Sequence, residues 1–199
     1  MWEVVLSVTK FDFVIFVVTI IAYIILIVDI IKHDGISQNF FTWSLWAILD
    51  GILFITTYAE KATDLPIIAG CVLGSFFVAI VLLFVKKIKW TKNESWILSL
   101  VIITVFIWLW SESNVVGIIS AVTAEILAGI PLMKASWKTP GSRLTLVSYL
   151  FFIISYVLSL FNSPNWDIEN ILFPLAFLIY SVGDTPPLFK KWIIKDWFV

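Results

Sequence analysis

One cysteine, one histidine and two methionines in 199 residues leave little from which to build a disulfide framework or a metal centre. Cys71 lies inside a long apolar run and has no second thiol to pair with, so neither a disulfide nor a thiolate metal site is expected. His33 stands alone, and no cofactor or metal is expected. Charge is scarce too: 14% of residues are charged against 61% hydrophobic, and mean hydropathy is +1.03. A soluble domain cannot hide that much apolar surface, and the run 13–28 has no amphipathic period. No cleavable signal peptide is expected, because the first apolar run is too long and no small-residue cleavage site follows it.

The apolar sequence falls into seven stretches, 11–31, 39–59, 65–85, 95–110, 115–133, 144–162 and 168–189. Each is near the roughly 20 residues a spanning helix needs. The thirteen Lys and Arg residues are sorted by the gaps between them. Eleven lie on alternate gaps: Lys32; Lys86, Lys87, Lys89 and Lys92; Lys134, Lys138 and Arg143; Lys190, Lys191 and Lys195. The remaining gaps hold only Lys10 and Lys61, with Glu3, Asp12, Glu60, Asp64, Glu112, Asp167 and Glu169. Basic loops stay cytoplasmic, so the chain is expected to be an all-α membrane protein with N-terminus out and C-terminus in. Net charge is −1; no nucleic-acid partner is expected, and the bilayer is. Trp90, Trp96, Trp110, Trp137, Trp166, Trp192 and Trp197 fall at predicted helix ends, the positions of an aromatic belt.

Lysine placement also points to an internal repeat. Ile30-Ile31-Lys32 is followed five residues on by Ser37-Gln38-Asn39, and Leu132-Met133-Lys134 five on by Thr139-Pro140-Gly141. The offset is 102 residues for helices one and two against five and six, and about 104 for three against seven. Three parts follow: a triple-helix unit at 1–89, a connector helix at 90–112 and a second unit at 113–199. An odd connector leaves the two units parallel, related by an axis along the membrane normal.

This 3+1+3 layout resembles the superfamily of SWEET sugar transporters, PQ-loop proteins and Pnu vitamin transporters. Pro131, with Lys134 and Trp137-Lys138-Thr139-Pro140 after it, is similar to the PQ-loop element that closes the first helix of a unit. Trp43-Ser-Leu-Trp46-Ala-Ile-Leu-Asp50 is similar to the W-x-x-W-x-x-x-N pattern of Pnu transporters. The chain departs from those patterns in three places. Leu132 replaces Gln, Asp29-Ile30 stands where the first unit would have Pro-Gln, and Asp50 replaces Asn. The Trp pair is absent from the second unit, around Thr145, Ser148 and Phe152.

Two carboxylates, Asp50 and Glu125, lie near the middle of predicted spans. Such a charge costs about 3 kcal/mol on insertion scales, so it faces the bundle interior or a wet cavity. Helical spacing puts Asn39, Trp43, Trp46, Asp50 and Thr57 on one face. Indoles beside a carboxylate offer stacking surfaces for a sugar ring, a base or a thiazolium, and favour a cation. Trp43 is equally compatible with the headgroup level. Glu125 shares its face with Gly117, Ala121, Ala128 and Gly129, which serve either close packing or open volume. Ser148, Ser155, Ser159 and Asn162 form a polar stripe on helix six, and Asn170, Pro174, Phe177, Ser181 and Asp184 one on helix seven. Gly70, Cys71, Gly74 and Ser75 read as a close-packing face.

The candidate solute-binding residues are thus Trp43, Trp46, Asp50, Glu125, Ser148, Ser155 and Ser181. Pro131 and Pro174 are candidate hinges, and Asp184, before Thr185-Pro186-Pro187, is a candidate gate within reach of water. Asp29 is expected to pair with Lys32.

The expected function is a transporter or facilitator of a small polar solute, sugar or vitamin-like, working by alternating access. If Asp50 and Glu125 meet, a shared proton would permit proton coupling. The alternative is a seven-span receptor or sorting protein of the same fold, disfavoured by the short tail 192–199. A retinal protein needs a lysine within the seventh helix, which has none before Lys190. No catalytic constellation is evident, so no enzyme is expected. Short loops and the lack of a targeting segment point to a prokaryotic inner membrane.

Overall fold

The computed structural model describes residues 9–34, 38–85 and 92–189, apart from the side chains of 92 and 93. Ser37, Lys86, Lys87, Lys89, Trp90, Lys190, Lys191, Trp192, Lys195 and Trp197 lie outside the described residues, as does the side chain of Lys92. Seven α-helices occupy the described residues, with no strand among them: α1 Lys10–His33, α2 Phe40–Glu60, α3 Leu65–Val85, α4 Lys92–Ser111, α5 Asn114–Lys138, α6 Arg143–Asn162 and α7 Ile168–Phe189. At 1.5 Å per residue their 20 to 25 residues reach about 30 Å or more, the thickness of a hydrocarbon core. All seven are long and apolar enough to cross a membrane. Large side chains such as Phe84, Trp110 and Phe161 point outward with more than four-fifths of their surface exposed. A soluble monomer seldom tolerates so much exposed apolar surface, whereas a multi-pass membrane protein requires it.

Local sequence sets where helices start and stop. Thr9 and Asp12 form a capping box on α1, Asn39 caps α2 by accepting from the Thr42 amide at 3.0 Å, and Ser142 caps α6 with Thr145. Such caps satisfy amides that have no partner within the helix. Asp34 and Lys61 take left-handed conformations, with φ of 54° and 56°, and end α1 and α2.

Six of the helices close a ring in the order α1, α3, α2, α5, α7, α6, each packed on its two neighbours. α4 lies outside and packs on α5. The small residues of α3 act as expected: the side chain of Thr19 fills the space beside Gly70, and the Tyr23 ring lies directly over Gly74. Removing Cβ lets α1 and α3 approach closely.

One helix runs on past its expected end at 133, and another reaches its expected end through three prolines. α5 passes through Pro131 to Lys138, and α7 passes through Pro174, Pro186 and Pro187 to Phe189. Proline removes an amide donor from the helix, and spanning helices accept this where neighbouring side chains satisfy freed carbonyls. Pro131 frees the Leu127 carbonyl, and three other carbonyls of the same stretch take added donors from neighbouring helices. The carbonyls of Glu125, Ala128 and Gly129 accept from Trp46 Nε1 at 2.8 Å, Thr42 Oγ1 at 2.7 Å and the Tyr180 hydroxyl at 2.8 Å. α5 is therefore held by donors from both α2 and α7.

Candidate solute site

Asp50 lies on the ring-facing side of α2 and is 3% exposed; Glu125, on α5, is fully buried. Their carboxyl groups stand beside one another. Ser75 Oγ, on α3, donates to Asp50 Oδ2 at 2.7 Å. Neither Glu125 oxygen makes a hydrogen bond of ordinary geometry. Burial of an unpaired carboxyl is costly. Every Lys, Arg and His whose burial is described is exposed, whereas Asp29, Asp50, Asp64, Glu94, Glu125 and Asp184 are buried. The interior is acidic and contains no described base.

A cavity of about 20 Å³ opens beside this pair, room for about one water molecule. Aromatic residues make up most of its wall, with Asp50, Cys71 and Ser181 as the other lining side chains. Trp43 and Trp46 meet edge to face at 4.9 Å, and Trp46 in turn meets Phe177 and Tyr180 at 5.6 and 5.5 Å. Tyr23 and Phe152 close the opposite side at 4.7 Å. These are favourable aromatic geometries. Trp43 is 2% exposed and gives its Nε1–H to Gln38 Oε1 at 2.9 Å, so it belongs to the interior and not to the headgroup level.

Of the residues expected in the site, Trp43, Trp46, Asp50 and Ser181 line the cavity, and Glu125 stands behind Asp50. Ser148 and Ser155 do not line it. Their hydroxyls bond the carbonyls of Ala22 and Phe152, both at 2.9 Å. Gly129 supports close packing: a Cβ there would stand 2.6 Å from the Tyr180 ring. Pro174 is buried in α7. Asp184 is fully buried and not reached by water, because α7 continues past it; Tyr149 donates to its Oδ2 at 3.0 Å. Asp29 meets His33 Nδ1 at 2.8 Å and accepts from Ser142 and Thr145 of α6, in place of the expected Lys32.

Ser75, Cys71, Tyr23 and Tyr156 were not among the expected site residues. Tyr23 and Tyr156 both reach Cys71. The signal that finds them is a spacing of 106 residues. Thr42 bonds the Ala128 carbonyl and Ser148 bonds that of Ala22; 42 and 148, and 22 and 128, differ by 106. The Tyr23 ring covers Gly74, and the Tyr180 ring covers Gly129, with 106 again separating 23 from 129 and 74 from 180. Trp43 and Tyr149, Trp46 and Phe152, Asp50 and Tyr156, and Cys71 and Phe177 line the cavity as pairs at the same spacing.

Comparison with protein-family models, with curated proteins and with solved structures finds no match to this chain. What the fold defines is a class: a bundle of seven membrane-length helices with an acidic, aromatic-walled cavity at its centre.

Proposed function

We propose that this protein is an integral membrane transporter or facilitator of a small polar solute, with its site between two triple-helix units that work by alternating access. The observation that carries the reading is the carboxyl pair of Asp50 and Glu125 beside a cavity at the centre of a closed helix ring. Exchanging α1 with α5, α2 with α6 and α3 with α7 leaves the pattern of helix packing in the ring unchanged. The reciprocal hydrogen bonds and Tyr–Gly contacts at a spacing of 106 support the same twofold relation. That spacing replaces the 102 to 104 suggested by the lysines. The layout supports kinship with the SWEET, PQ-loop and Pnu superfamily, with the basic gaps in the cytoplasm and a prokaryotic inner membrane as the location.

Closure at the acidic end accompanies this reading. The amide and hydroxyl of Thr63, between α2 and α3, both donate to Asn170 Oδ1 of α7, at 2.8 and 3.0 Å. α3 and α7 lie opposite one another in the ring, so this contact crosses the pathway. Proton coupling fits the paired acids. The test is thermal stability of the purified protein against sugars, B-vitamins, nucleosides and amino acids at about pH 5.5 and 7.5. A solute that binds only the folded state at 100 times its Kd adds about 2.7 kcal/mol. A shift with one solute class, lost in Asp50→Asn, is expected, followed by uptake into proteoliposomes. Absence of uptake for a solute that binds would favour a receptor.

A further inference from the structure

The unsatisfied chemistry of the interior narrows what the site can take. Among the described residues, six buried side-chain atoms have no hydrogen-bond partner. Five are carboxyl oxygens, on Asp64, Glu125 and Asp184; the sixth is Thr57 Oγ1. Four of the donors around the cavity are already committed. Trp43 donates to Gln38, Trp46 to the Glu125 carbonyl, Tyr149 to Asp184 and Tyr180 to the Gly129 carbonyl. A sugar needs both donors and acceptors from its site. What faces the cavity is mainly aromatic rings and the Asp50 carboxyl, with the Ser181 hydroxyl beside them; rings around a carboxylate are the combination that attracts a cation.

We propose that the site takes a small organic cation, an amine or an N-alkylated heterocycle, in exchange for a proton shared by Asp50 and Glu125. This deepens the transport reading and rests on it for direction of movement, though not for binding. In the empty site the two neighbouring carboxyl groups keep one proton between them, a familiar device where like charges cannot both stand free. The arriving cation takes its place: one O–H bond breaks, the proton leaves to water, and the charge of the site is unchanged. The groups facing the pair are Ser75 and Cys71 from α3, Tyr23 from α1 and Tyr156 from α6. On α7, Tyr180 and Asp184 face Tyr149 instead. Among the described residues no base is buried to compete for the proton. The 20 Å³ cavity requires the aromatic walls to part as the cation enters, and Trp46, bonded to α5 through the Glu125 carbonyl, links that movement to the neighbouring unit.

The experiment mixes detergent-purified full chain with choline, tetraethylammonium or N-methylpyridinium in weakly buffered solution. Proton release is read with a pH dye and affinity by calorimetry across pH. The expected result is release of about one proton per cation bound, with the apparent Kd rising about tenfold for each pH unit lowered while the pair is protonated. Glu125→Gln and Asp50→Asn abolish the release and the pH dependence; Thr123→Ala, on an exposed face of α5, changes neither. Binding of uridine or glucose with no response to any of the cations overturns the proposal, as does cation binding without proton release. Failure to bind any tested solute overturns it as well. Cation binding with proton release but no uptake into proteoliposomes upholds the site and removes the transport reading instead.

Discussion

Gly74 and Gly51 are both helical glycines, yet their surroundings give them opposite roles. The Tyr23 ring occupies the place a side chain at Gly74 would need, whereas nothing lies within 4 Å of a Cβ at Gly51. Gly74→Ala is therefore expected to lose about 1–3 kcal/mol through overpacking. Gly51→Ala should gain up to about 1 kcal/mol from helix propensity, and thermal melts of the two variants check the contrast. Asp64 lies before the first residue of α3, outside the spans, and both of its oxygens are buried without a partner. Burial holds its carboxyl well above the ordinary carboxylate range. The folded state thus favours the neutral acid, and this site's contribution to stability is fully present below the unfolded value. It declines as pH rises from there toward the folded value. Asp64→Asn, which cannot ionise, should raise the melting temperature at neutral pH and lose that advantage near pH 3; an equal change at both would contradict this account. The sequence made Asp50, Glu125 and the two tryptophans legible, because a carboxylate inside a span needs a reason and helical spacing aligns the rings with it. It concealed Tyr23, Tyr156 and Cys71, which as side chains in apolar runs look like ordinary core. Ser75 was assigned to close packing, since only the fold brings its hydroxyl to Asp50.

At the scale of the helix, hydropathy located all seven elements, because length and lack of charge are what a bilayer selects. Their ends were harder to read. Pro131 looks like a stop when only the missing amide is considered, yet α5 continues for seven residues to Lys138. The carbonyls before it find donors on α2 and α7, and those partners are invisible without the tertiary arrangement. The same contacts give the helix two possible sets of bonds, within α5 and to its neighbours, which suits a hinge. Pro131→Ala restores the amide and is expected to leave thermal stability unchanged or higher while slowing solute exchange several-fold. Unaltered exchange in proteoliposomes would remove the hinge role. α4 contributes differently: its Glu94 accepts from Asn39, the N-cap of α2, at 3.1 Å, much as Asp29 of α1 engages Ser142, the N-cap of α6. The helix outside the ring thereby supplies a carboxylate where α5 carries Ala135.

On the proposed reading, the whole molecule is a ring of two halves that share contacts at one spacing while dividing the chemistry. The first supplies Asp50 and Ser75, and the second places Tyr156 and Ser181 at the corresponding positions. Under the proposed twofold relation this division would leave the repeat faint in the sequence, since what recurs is the geometry of contact, as when Tyr and Gly exchange helices between 23–74 and 129–180. The central claim is that the two halves rock so that the cavity faces each side of the membrane in turn. Its most direct measurement uses Ser181→Cys in a Cys71→Ala background, labelled with a membrane-impermeant maleimide in right-side-out and inside-out vesicles. Labelling from both faces is the expected result, with Thr63→Cys and Asn170→Cys cross-linking suppressing it from the acidic face alone. A cysteine at 181 that reacts from one face only, whatever the state of that cross-link, would contradict alternating access.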